Sequence, residues 1–142
     1  MDLNDFFGPN PIVVDLRAED RWEVIDEMLD QLVAHQKIKP ENRGAIGEAV
    51  KKREKSMTTG IGFGIGIPHA STDLVSEVVG IIGRSRQGVQ FDALDLKPVK
   101  LVALFLVPQG QFQKHLHTLA DIAKLLHRPD FRKWLSDRPE SD

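Results

Sequence analysis

The sequence predicts one α/β domain. Short β-like apolar runs alternate with stretches of helical periodicity along the whole chain, and no repeat, low-complexity block or Pro/Gly/Ser-rich linker divides it. Its 142 residues are also too few for two well-cored domains. A hydrophobic fraction of 41% with 11 glycines is that of a globular protein and excludes a chain disordered throughout.

Taken in order, Pro11 to Leu16 is a short candidate strand carrying Ile12, Val13 and Val14. A helix is expected from about Glu19 to His35, because Trp22, Ile25, Met28, Leu29, Leu32 and Val33 recur at three- and four-residue spacing. Glu19 and Asp20 put negative charge in its first turn. Pro40-Glu41 opens a second helix with Ile46, Ala49, Val50 and then Arg53 on one face. From Gly60 the period changes to two. Gly60, Gly62, Gly64 and Gly66 alternate with Ile61, Phe63, Ile65 and Ile67 until Pro68, which reads as one strand with large apolar side chains on one face and none on the other. Val78 to Gly83 and Val99 to Val107 are further strands, the second apolar on both faces and therefore central, with Gly88 to Leu96 as a hairpin arm between them. Lys114 to His127 is a third long helix and Asp130 to Leu135 a short one after Pro129. The polar residues 136–142 read as a loose tail, so the expected single domain, 1–142, has its core in about 2–135.

Composition narrows the function. Nineteen Lys+Arg against 21 Asp+Glu give a net charge of −2, which argues against a protein built to neutralise nucleic-acid phosphates. With no cysteine there are no disulfides, thiol nucleophiles, zinc ribbons or iron–sulfur clusters. The acidic start, Met1-Asp2-Leu3-Asn4-Asp5, lacks the basic and apolar regions of a secretory signal. The longest apolar run, Leu101 to Val107, falls well short of the roughly 20 residues of a membrane-spanning helix. A soluble, cytoplasmic protein without membrane insertion is expected.

Candidate chemistry gathers where the glycine run ends. Each glycine inside a strand costs roughly 0.5–1 kcal/mol relative to alanine, so another backbone, a helix or a partner surface must approach the bare face. Pro68 fixes the approach of the chain to His69, which is either a loop residue beside tight packing or a reactive group. A nucleotide loop would need its glycines in a turn ahead of a helix N-terminus, whereas these alternate within the run and end in Pro-His. His115 shares a helix row with Leu119, Ile122 and Leu126 and faces inward; His117 shares one with Asp121, Lys124 and Arg128 and faces water. Residues two apart on a helix point about 200° apart, so the two histidines do not grip one metal, and neither a metal nor a cofactor is expected. His115 is then a satisfied buried side chain or a catalytic group. His35 and His127 lie near helix C-termini, where the dipole suits an imidazolium, and carry no assigned function. Arg53 either offsets the helix dipole and pairs with a neighbour such as Glu54, or holds an oxyanion in its fork of donors.

Arg53-Glu54, Thr58-Thr59-Gly60-Ile61-Gly62 and Gly64-Ile65-Gly66-Ile67-Pro68-His69-Ala70 resemble the signature of the fructose/mannitol-type enzyme IIA domains of the bacterial phosphoenolpyruvate-dependent sugar phosphotransferase system. Gly88-Val89-Gln90-Phe91-Asp92-Ala93 and the stretch Pro98 to Pro108 resemble the central segment of that family. His115-Leu116-His117-Thr118-Leu119-Ala120 resembles its "HLxxL" helix in the wording of the nitrogen-regulatory branch, and the likeness runs from about Asp2 to Leu135. The resemblance implies a mixed β-sheet with helices on both sides. It implies that His69 accepts a phosphoryl group from a histidine phosphocarrier protein such as HPr, that His115 hydrogen-bonds this group, and that Arg53 stabilises the charge. The acceptor it implies is a IIB domain or a regulatory client protein. The expected role is a stand-alone nitrogen-regulatory IIA protein, with a sugar-specific IIA component second and a binding module without transfer third. A bare glycine face beside His69 would suit an approaching protein donor. Two departures stand out. Gly66 occupies a position where the family commonly has alanine, expected to be harmless and to loosen the strand slightly. Family members also usually continue into a further C-terminal helix, beyond where this sequence stops.

Overall fold

The computed structural model describes residues 12–13, 15–111 and 113–137 and, within them, all side chains but those of 12, 61, 115, 118, 119, 122 and 134–136. The strands are β1 (Ile12–Val13), β2 (Gly60–Gly62), β3 (Ile65–Gly66), β4 (His69–Thr72), β5 (Val79–Val89) and β6 (Val99–Pro108). The helices are α1 (Arg21–Ala34), α2 (Arg43–Ser56), α3 (Leu116–His127) and α4 (Pro129–Ser136), with 3-10 turns at Pro40–Asn42 and Gln113–His115 leading into α2 and α3.

The strands form one mixed sheet in the order β1-β5-β6-β3-β2, with β4 also on β6. β5 and β6 are antiparallel, while β1 lies parallel to β5 and both β3 and β4 parallel to β6. β3 and β4 follow each other along one side of β6: Ile65 and Gly66 face Leu101 and Val102, and His69 to Thr72 face Phe105 to Pro108. β6 is therefore central, as its two-sided apolar sequence predicts. Val102, Leu104 and Leu106 pack with Ile25, Met28, Leu29, Ile46 and Val50 of α1 and α2. Leu101, Ala103 and Phe105 point the other way, to Leu125 and Leu126 of α3 and Phe131 of α4. Period-two alternation sends neighbouring side chains to opposite faces, so the expected helices on both sides each receive half of the strand.

Several expected bounds move. Asp20 is the N-cap of α1 and accepts from Glu23 N at 2.8 Å, so its charge sits ahead of the first turn rather than within it. The first strand is Ile12–Val13 alone among the described residues; Pro11 and Val14, like residues 1–10, lie outside them. β5 extends from Val79 past Gly83 to Val89, which pairs with Val99, so only the start of the expected hairpin arm Gly88 to Leu96 is strand. Its continuation turns inward, where Phe91 and Ala93 are buried core. Helix α4 runs to Ser136, one residue into the expected tail, and residues 138–142 lie outside the described residues.

The glycine run is the main correction. It is two strands of an antiparallel hairpin, not one strand: Gly60 pairs with Gly66 and Gly62 with Ile65. The chain reverses at Phe63 and Gly64, whose φ angles are 58° and 77°. Among the described residues, the glycines of the run do not line up as one continuous bare face. At its base the hairpin takes in the chain's own segment 91–93. A Cβ on Gly60 would lie 2.8 Å from Ala93 Cβ, and one on Gly66 would lie 2.9 Å from Phe91 Cζ. The glycines thus serve tight packing, against a connecting segment rather than a helix. Gly66 does not loosen the strand, because the ring of Phe91 fills the space where an alanine methyl would be.

Candidate functional site

Pro68 and His69 join this hairpin to β4. The Pro68 carbonyl accepts from Phe105 N at 3.0 Å, which seats the chain on β6 just before the histidine. His69 is half-buried at the start of β4, with its Nδ1 2.9 Å from the Ile67 carbonyl oxygen. A carbonyl only accepts, so Nδ1 carries the proton and donates; the lone pair of the neutral ring is on Nε2.

His69 opens into a cleft of about 450 Å³. Arg53 from the last turn of α2, with Thr58 and Thr59 from the connection after it, forms one wall. Leu116 and Ala120 from the start of α3 line it too, and Met57 and Leu94 complete an apolar rim. The structure therefore brings Arg53 and His69 to one cleft. His115 is the residue before α3, on the 3-10 turn rather than on the helix. Its side chain lies outside the described residues, as do those of Leu119 and Ile122; Leu126, on the same expected row, is buried.

Arg53 Nη1 donates to the Met57 carbonyl at 3.1 Å and reaches Ser56 Oγ at 3.5 Å. It does not take Glu54 as its partner. Adjacent helix residues point to different sides, and Glu54 is the one on the inner row, four residues after Val50. Buried at 1% exposure, it accepts from Thr59 N at 2.8 Å, Thr59 Oγ1 at 2.6 Å and Arg21 Nη1 at 3.3 Å. Sequence reasoning passed over Glu54, Thr59 and Arg21. The available signal was the row Ile46, Val50, Glu54, which aims a carboxylate into the core and so demands buried donors.

These surroundings set the charge of His69. Burial, the largest influence, pushes the imidazole below its ordinary 6.5; the Ile67 carbonyl raises it, Arg53 lowers it and Glu54 raises it, with the balance downward. With its pKa below 6.5 the ring is mainly neutral at pH 7, and the free-base nitrogen of a neutral imidazole can act as a nucleophile. Among the described residues, no group of three or more His, Cys, Asp or Glu side chains is placed to hold a metal. No helix among them is long and apolar enough to cross a membrane.

Two of the sequence motifs that carry the resemblance, the one with Arg53 and the one ending in Pro68-His69, thus meet in one cleft. The profile of the family described as "Phosphoenolpyruvate-dependent sugar phosphotransferase system, EIIA 2" matches residues 5–142. The chain belongs to this family. This EIIA domain is 41% identical over 111 residues to the "PTS system fructose-specific EIIA component" of Haloferax volcanii, covering 78% of this chain and 71% of that protein. It is 31% identical over 135 residues to the "Nitrogen regulatory protein" of Bradyrhizobium diazoefficiens, covering 95% of this chain and 86% of that protein. The crystal structure of nitrogen regulatory protein IIA-Ntr from Neisseria meningitidis superposes with a TM-score of 0.78 at 28% identity, over 92% of this chain and 87% of that one. Names from both branches thus occur among the relatives of this EIIA domain.

Proposed function

We propose that the protein is a phosphocarrier in which His69 Nε2 accepts a phosphoryl group from the phosphohistidine of an HPr-like donor and passes it to a second protein. The reading rests on the 2.9 Å contact between His69 Nδ1 and the Ile67 carbonyl, in a cleft that also holds Arg53. As the Nε2–P bond forms, the P–N bond of the donor breaks and its electron pair returns to the donor imidazole. Positive charge grows on the His69 ring, and the Nδ1–H bond to Ile67 becomes charge-assisted, an interaction stronger in the transition state than before it. Transfer through a loose transition state asks a protein chiefly for positioning and charge stabilisation. Arg53 supplies the charge facing the phosphoryl oxygens, and His115 has the role of hydrogen-bonding them. The donor arrives already activated, so no cofactor is required.

The role we assign is that of a regulatory IIA protein in the cytoplasm, whose phosphorylation state alters its binding to client proteins. The identity of 41% to a fructose-specific component favours a second reading, a sugar-specific IIA that hands its phosphate to a separate IIB. Phosphoenolpyruvate, enzyme I and a histidine phosphocarrier are expected to label the protein, and His69→Ala to abolish labelling. A folded His69→Ala protein labelled as strongly as wild type would refute the assignment. Loss of label to a fructose-type IIB identifies the sugar role; retention of label with phosphorylation-dependent binding to a client identifies the regulatory one. A wild-type protein that no cognate donor labels is a binding module only.

A further inference from the structure

A line of hydrogen bonds connects a buried carboxylate with the imidazole of His69. Glu54 receives both Thr59 N, at 2.8 Å, and Thr59 Oγ1, at 2.6 Å. The Thr59 carbonyl receives Ile67 N at 3.1 Å. The Ile67 carbonyl receives His69 Nδ1 at 2.9 Å. Each residue is fixed by the one before it, and every bond donates in the same sense, from the ring toward the carboxylate. The line ties together the end of α2, the start of β2 and the start of β4, whose relative placement decides where the ring stands in the cleft.

An ion pair with Arg21 explains Glu54 only in part. Arg21 Nη1 lies 3.3 Å from Glu54 Oε2, and its other arm lies 3.6 Å from Asp92. That pair joins α1 to α2 but leaves unexplained why both carboxylate oxygens also take donors from Thr59. We propose that Glu54 is a positioning residue for His69, acting through Thr59 and Ile67 to hold the ring with its Nδ1 proton inward and its Nε2 lone pair toward the incoming phosphoryl group. The inference rests on His69 as the phosphoryl acceptor.

The test uses the full 15N-labelled chain. Imidazole 15N–1H correlation spectra report the His69 tautomer and titration midpoint, and transfer from a phosphorylated HPr-type carrier reports kcat and KM. Glu54→Gln is expected to lower kcat by about ten- to a hundred-fold, the scale of a small misplacement of a reacting group, with KM for the carrier unchanged. The Nε2–H tautomer should gain population. The midpoint should move down, because the negative charge that favours the imidazolium is gone. Thr59→Val, which loses only the Oγ1 bond, should move the same readouts by less, and Thr59→Ser should restore them. A folded Glu54→Gln protein with wild-type tautomer, midpoint and kcat overturns the proposal. If that variant does not fold, Thr59→Val decides, since it leaves the Arg21–Glu54 pair in place; unchanged ring spectra and rate then overturn it. A wild-type protein that takes no label at His69 would defeat the phosphocarrier reading alone, because the ring spectra need no donor.

Discussion

At the scale of single residues, His69 is governed by influences of opposite sign. Burial and the Arg53 guanidinium disfavour the imidazolium, whereas the Ile67 carbonyl and Glu54 favour it, and the ring titrates below 6.5. Arg53→Gln is therefore expected to raise the titration midpoint of His69, opposite to the shift expected for Glu54→Gln; NMR titration of the ring checks it, and an unmoved midpoint would show that Arg53 does not act on the ring. The same depression couples to folding. In the unfolded chain the histidine binds its proton near 6.5, while in the folded protein it does so only at lower pH. Between those two values the unfolded state holds more protons, so stability falls as pH drops below 6.5 and levels off once the folded protein also protonates. Urea unfolding at a series of pH values should show this slope in wild type and lose its His69 share in His69→Gln.

At the scale of elements, the hairpin of β2 and β3 leads through Pro68 into β4, which starts at His69, and its tightness is a matter of fit. Phe91 is fully buried, and its ring occupies the space beside Gly66. Gly66→Ala is expected to destabilise the fold by about 1–3 kcal/mol, as overpacking does, and to lower Tm by several degrees. Phe91→Leu should recover part of that loss in the double variant although it costs stability alone. Strictly additive effects in the double-mutant cycle would show that the methyl and the ring do not compete. The sequence period reads this hairpin as one strand for a simple reason. A two-residue reversal leaves the apolar–glycine alternation in phase, so period alone does not separate a strand from a hairpin. Such turns favour Asn-Gly or Asp-Gly, because both central residues need positive φ, and Phe63-Gly64 gives no such warning. The tip is held instead by tertiary contacts: Phe63 N donates to Asp95 Oδ2 at 3.2 Å, Arg132 donates to the Phe63 carbonyl, and the Phe63 ring meets His127 edge-on. The central β6 and the helices α1, α2 and α3 were legible because burial on two faces or on one stripe writes a distinct period into the sequence. Glu54 was not, because a carboxylate at the end of an amphipathic row reads as solvated until its donors, Thr59 and Arg21, are brought beside it by the fold.

At the scale of the whole molecule, the His69 imidazole shares its cleft with an apolar rim assembled from distant parts of the chain. Met57 follows α2, Leu94 lies in the connection between β5 and β6, and Leu116 opens α3; they are 65%, 72% and 43% exposed. Exposed large apolar side chains grouped around a cleft are a feature of surfaces that bind another protein. The proposed transfer would require such cover, because a phosphohistidine carried on a folded donor would have to reach a half-buried ring with water excluded. In the proposed transfer, complementarity at the rim would govern encounter, and Arg53 and His69 the chemical step. Leu94→Gln and Met57→Gln, which add no charge beside His69, should each raise KM for the carrier about ten-fold, the loss of one well-packed interface residue, with kcat, far-UV circular dichroism and the His69 titration close to wild type. Leu96, 88% exposed and absent from the cleft lining, provides the contrast, and Leu96→Gln should leave KM near wild type. If the rim variants transfer with wild-type KM while Leu96→Gln does not, the donor approaches over another face, and the apolar rim has no part in docking it.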